Sequence, residues 1–154
     1  MSDYTRATRA CDFSQLSPEV VAALRQSAAA RGASGFDTDV SACCETHSIR
    51  KRKGFFGGGG DPDPEHTTSV VLTSRWLLWV RRGPKSGIVT SIAVLKEIEL
   101  EDLAARLTGD TGLEVFGFVN QSAEKVHAFI GLGAEPAALG FRRAVQDALA
   151  RARA

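Results

Sequence analysis

The residues best suited to chemistry in this 154-residue chain are cations beside aromatics. Arg50-Lys51-Arg52-Lys53-Gly54-Phe55-Phe56-Gly57 sets four positive charges next to two phenyl rings at the head of a loop. Each Lys or Arg near an anionic membrane surface contributes about 1 kcal/mol, and an aromatic neighbour adds shallow insertion. A second basic cluster, Arg81-Arg82-Gly83-Pro84-Lys85, lies further along. Neither cluster carries an acid, base or nucleophile, so the chemistry both suit is noncovalent recognition of an anion. Against this, Asp61, Asp63 and Glu65 follow the first cluster and oppose its charge. Phe55 and Phe56 equally suit a core, and a basic run also protects a strand end from edge pairing. Whether the two rings are exposed separates these readings.

Other groupings are poorer. Cys43-Cys44-Glu45-Thr46-His47 has metal-ligand spacing between Cys44 and His47, with Cys11 and His66 available elsewhere. However, adjacent residues of a strand point to opposite faces and no second paired motif exists, so the expectation is buried thiols and no metal. Gly131-Leu132-Gly133-Ala134-Glu135-Pro136 opens a helix after a strand, but Pro136 stands where a dinucleotide fingerprint needs glycine. The glycines at 57–60 lack the Lys-Ser/Thr of a phosphate-binding loop. His127 alternates onto a face with Phe129, away from Val126, Ala128 and Ile130. Glu97, Glu99 and Glu101 read as a solvated face. No nucleophile–base pair emerges, so the expectation is a protein that is not an enzyme and uses no cofactor.

Composition bounds the partners. The net charge of +1 argues against a general grip on nucleic acid, despite the aromatic–basic loop that could stack single strands. Hydrophobic residues make up 44% of the chain, enough for a core. No apolar run approaches the ~20 residues of a membrane span, and the first residues lack the apolar stretch of a signal peptide. A cytoplasmic protein, with peripheral membrane contact at most, is expected. Three cysteines, two adjacent, do not form a disulfide framework.

The elements that must position these clusters follow from periodicity. Residues 1–15 show little pattern. Ser17-Pro18-Glu19 starts a helix, with Leu16 and Val21 at staple spacing, a stripe of Val20, Val21, Leu24 and Ala28, and a stop at Gly32. This gives an N-terminal extension with one helix over 1–39. Residues 40–53 predict a strand. Val70-Val71-Leu72-Thr73-Ser74-Arg75-Trp76-Leu77-Leu78-Trp79-Val80 predicts a hairpin turning at Ser74-Arg75. Residues 88–100 are β-prone, but 95–107 also fit a helix with Leu100, Leu103 and Leu107 on one face. Residues 113–119 and 126–130 are the last strands. Pro136 opens a helix with the stripe Ala138, Phe141, Val145, Leu149 and Ala152. Strands in series with short connections predict an antiparallel meander, curled to hide its edges and capped by the last helix.

The hairpin resembles the "vvlT-x-R-l-l-x-v" segment of bacterial pleckstrin-homology-like and GRAM-like domains. Thr90-Ser91-Ile92-Ala93-Val94-Leu95-Lys96-Glu97-Ile98 is similar to the strand that follows it there, and the final helix matches theirs. The resemblance spans about residues 42–152 and implies, over 40–154, an α+β domain: an antiparallel β-barrel of about seven strands capped by a C-terminal helix. It further implies a non-catalytic binding module for anionic lipid headgroups, peptides or proteins. The ligand would sit where the loops bearing Arg50, Lys51, Arg52, Lys53, Phe55 and Phe56 and Arg81, Arg82 and Lys85 converge. The alternative is a protein-interaction or homo-oligomerisation domain using a sheet face or the added helix.

Overall fold

Val70, Val71, Leu72, Leu77, Leu78, Trp79 and Val80 are all buried, which a strand pair with one wet face would not allow. The explanation is a helix on each side of the sheet, so both faces of the hairpin need apolar side chains. The computed structural model describes residues 3–51 and 63–154. Among them seven strands form one antiparallel sheet in sequence order: β1 Tyr4–Ala10, β2 Val40–Arg50, β3 Glu65–Thr73, β4 Trp76–Gly83, β5 Gly87–Glu101, β6 Gly112–Val119 and β7 Val126–Gly131. Helix α1, Pro18–Ala30, lies between β1 and β2, the short α2, Leu103–Thr108, between β5 and β6, and α3, Pro136–Arg153, closes the chain.

Alternation along the strands sorts the core into two layers. Cys44, Val70, Leu72, Leu77, Trp79, Leu95, Leu113, Val115 and Ile130 pack with Ala138, Phe141, Val145 and Leu149 of α3. On the other face Cys43, Val71, Leu78, Val80 and Ile92 pack with Val20, Leu24 and Ala28 of α1 and with Leu16 and Phe36. The predicted signals at the start of α1 are present: Val20 N–H donates to Ser17 Oγ, Pro18 opens the first turn, and Gly32 beyond its end takes φ of 75°.

Two departures from the sequence reading concern the ends of elements. Within residues 1–15, where the sequence shows little pattern, Tyr4–Ala10 pairs along its whole length with β2, from Tyr4 opposite Arg50 to Ala10 opposite Cys44. The N-terminal segment thus supplies the first strand of the sheet as well as a helix. The overlap at 95–107 resolves into both elements, since β5 runs to Glu101 and α2 follows. The supposed stripe dissolves: Leu103 and Leu107 are 51% and 75% exposed, while Leu100 packs on the core from β5.

The sheet curls into a half-barrel. The β5–β6 register breaks between Ala93 and Ile98, where the sheet is irregular. Gly117 opposite Ile98 permits the approach there, because a Cβ would meet Glu97 O at 2.1 Å. At the open seam, Gly133 N–H donates to Thr8 Oγ1 at 2.8 Å, and the Arg6 guanidinium pairs with Asp110 and lies over the Tyr4 and Phe129 rings. The segment after β7 is thereby tied to β1 across the seam. The Gly131–Gly133 turn has this structural task, with the Arg6 side chain filling the space a Cβ at Gly131 would need.

Candidate functional site

The described parts of the two basic clusters, Arg50 and Lys51 at the end of β2 and Arg81 to Lys85 at the end of β4, lie at the same end of the sheet. In a meander, alternate connections share an end. With β1 as the first strand, β2–β3 and β4–β5 are the second and fourth connections, so they share an end. The β3–β4 turn at Ser74 and Arg75 lies opposite, anchored by Ser74 N–H donating to Asp39 at 3.1 Å.

Asp63 fastens the two connections. Its carboxylate accepts from Lys85 N–H at 2.7 Å and Ser86 N–H at 2.9 Å, which satisfies turn donors that have no strand partner. Hydrogen bonds from the Ser86 side chain and from these two N–H groups, with the nearby charge of Arg81, outweigh desolvation and hold the carboxyl below its usual range. Gly83 makes the fit possible, since a Cβ there would stand 2.3 Å from Asp63 Oδ2. On the β2 side, Arg50 N–H donates to Pro64 O at 2.7 Å and Lys51 N–H to Asp3 O at 2.8 Å. The backbone carrying Arg50 and Lys51 is therefore one residue pair away from the carboxylate that organises the Lys85 turn.

The site residues anticipated from sequence have different fates. Lys51 and Lys85 are exposed, and Arg50 is half-buried. Arg52, Lys53, Phe55 and Phe56 lie outside the described residues. Arg81 and Arg82 do not act as a pair, because strand alternation sends them to opposite faces. Arg81 Nη2 is 3.4 Å from His66 Nδ1, which is itself 3.3 Å from Asp63 O, so this guanidinium belongs to the strand-end scaffold. Arg82 turns toward the start of α1, where Nη1 donates to Ser17 Oγ at 3.1 Å and lies 3.8 Å from Glu19.

Beside Arg82 an open trough of about 500 Å³ is lined by Glu19, His47, Glu65, His66, Thr67, Gly83 and Pro84, among others. His47 Nε2 and Glu65 Oε1 stand 2.7 Å apart on its wall. The trough is thus mixed in charge, and the two carboxylates oppose an anion entering it. Among the described residues of the two basic clusters, the exposed cations are Lys51 and Lys85. Sequence reasoning missed the organising role of Asp63 and the contribution of α1. The signal for the first is Asp63-Pro64 directly before an apolar strand, a turn-forming pair; nothing in the sequence alone places Glu19 beside Arg82.

Cys44 and His47, which share ligand spacing, are not brought together: Cys44 is buried under α3, whereas His47 pairs with Glu65 on the other face. Among the described residues no three His, Cys, Asp or Glu side chains cluster so as to hold a metal ion, and no helix is long and apolar enough to cross a membrane. His127 stacks on Phe116 with centroids 4.5 Å apart and lies 3.3 Å from Glu101 on the outer face of the sheet. A comparison with known proteins found no matching family model and no significant similarity to a curated protein or a solved structure.

Proposed function

We propose that this chain is a non-catalytic binding module of the pleckstrin-homology-like type. Its ligand is an anionic group, a lipid headgroup at a membrane surface, taken at the end where β2 gives way to β3 and β4 to β5. The observation that carries the reading is the Asp63 bridge, which holds the Lys85 turn beside the segment bearing Arg50 and Lys51. A curled seven-stranded antiparallel sheet followed by a C-terminal helix is the architecture the sequence resemblance implies, and this supports the same reading. Lys51 and Lys85 are the contacts, because Arg81 is engaged with the scaffold and Arg82 with α1.

The test is sedimentation with vesicles of neutral phospholipid, with and without anionic lipid. Binding is expected only with the anionic lipid and should weaken steeply as salt is raised, since exposed charges are screened within about 8–10 Å at physiological ionic strength. Equal binding to neutral vesicles, or none to either, overturns the proposal.

A second reading, a protein-interaction surface, has one observation in its favour. The outer face of β6 and β7 carries Phe116 and Phe118, both partly exposed, beside exposed His127 and Phe129. A stable oligomer insensitive to salt would favour that reading.

A further inference from the structure

β1 and β2 are in register from Tyr4 opposite Arg50 to Ala10 opposite Cys44, so the next residue, Cys11, faces Cys43. Cys11 N–H donates to Cys43 O at 3.2 Å, and the two Sγ atoms are 3.5 Å apart. Directly opposed residues of antiparallel strands have Cα atoms about 4.5–5.5 Å apart, inside the range a disulfide spans. Both cysteines are free thiols. Cys44, one residue on, faces the other side of the sheet and is buried under α3, so the geometry selects one pair out of three.

We propose that Cys11 and Cys43 form an oxidisable dithiol, a modification site for two-electron oxidants of the peroxide class, which closes to a cross-strand disulfide. Cys11 is the half-exposed member and Cys43 is buried beneath α1. Attack therefore begins at Cys11. Its thiol is held below the ordinary value by the hydrogen bond with Cys43 and by the charge of Arg9, against desolvation. Cys43 and Cys44 are pushed up, Cys43 first by its hydrogen bond with Cys11 and Cys44 by burial. The Cys11 thiolate displaces hydroxide from hydrogen peroxide, breaking the O–O bond and leaving a sulfenic acid. Cys43 sulfur then attacks Cys11 sulfur, the S–O bond breaks, and the thiol proton leaves with the oxygen as water. Two thiols are oxidised, one peroxide is reduced to two waters, and a small dithiol reverses the step by exchange.

The bond would close the loop that carries α1, so it links redox state to the helix whose first turn lines the trough through Glu19 and whose N-cap Ser17 accepts from Arg82. The test treats the whole reduced protein with one equivalent of hydrogen peroxide and then titrates thiols under denaturing conditions. Accessible thiols should fall from three to one, with a loss of about 2 Da by mass spectrometry. Proteolysis should yield a Cys11–Cys43 linked peptide pair that dithiothreitol separates. Cys44→Ser should still form the bond, and Cys43→Ser should not. Three surviving thiols, a Cys11 sulfinic acid without cross-link, a bond to Cys44, or a disulfide between two chains would each overturn the proposal. The wild-type peptide map decides the question even where a variant fails to fold.

Discussion

The β3–β4 hairpin and the strand ends it supports are built on opposite rules. In the hairpin every side chain from Val70 to Leu72 and from Leu77 to Val80 is buried, three against α1 and four against α3. At the strand ends Lys51 and Lys85 stand in solvent, and order comes from hydrogen bonds at Asp63 instead of apolar burial. These buried hairpin side chains determine shape and offer a ligand nothing to touch. At the strand ends the exposed cations Lys51 and Lys85 offer contacts but contribute little to holding the fold, so substituting them should separate binding from stability.

The largest effect should fall in the hairpin. Leu78→Ala removes a fully buried side chain between sheet and α1, and should lower the unfolding free energy by about 2–5 kcal/mol in urea titration. A loss below ~1 kcal/mol would mean that α1 is not seated on that face. Next comes Gly83→Ala, whose Cβ must displace the Asp63 carboxylate from the turn. It should cost about 1–3 kcal/mol, the usual range for forcing extra atoms into a packed place, and it should loosen the Lys85 turn, visible as faster amide exchange at Lys85 and Ser86.

A smaller effect concerns pH. The folded Asp63 carboxyl titrates below its unfolded value of about 4. Its stabilisation is therefore fully present above pH ~4 and is lost as pH falls through the lower folded value. Asp63→Asn should flatten this acid limb of the stability–pH curve, and an unchanged slope would show that the bridge contributes nothing. At the small end, Lys51→Ala and Lys85→Ala should each change stability by less than about 0.5 kcal/mol, as surface substitutions do.

How legible these regions were in the sequence follows the same division. The hairpin could be read because its composition is over-determined: a run apolar at every position, broken only at Thr73-Ser74-Arg75, admits few alternatives. The starts of α1 and α3 were legible from Ser17-Pro18 and Pro136, which act locally. Strand β1 was not, because its inward positions are Tyr4, Arg6 and Thr8. These are satisfied by partners far away in sequence: Arg6 by Asp110, Thr8 by Thr46 and Gly133. Alternation exists in their burial but not in their hydropathy. The long strand β5 and the short α2 merged in the sequence because Leu100, Leu103 and Leu107 keep a helical period although only Leu100 packs on the core. That the β2–β3 and β4–β5 connections leave the same end of the sheet was legible from meander parity. The division of labour between Arg81 and Arg82 was not, since it depends on His66, Asp63 and Ser17 arriving from three other segments.

The central claim is that the exposed cations beside the Asp63 bridge form the binding end. It is tested most directly by comparing the double variant Lys51→Ala/Lys85→Ala with the unaltered chain in sedimentation with anionic vesicles. At about 1 kcal/mol per cation, the pair should weaken vesicle binding by roughly thirtyfold, with the thermal unfolding midpoint left nearly in place. Unchanged vesicle affinity in a folded double variant would contradict the account.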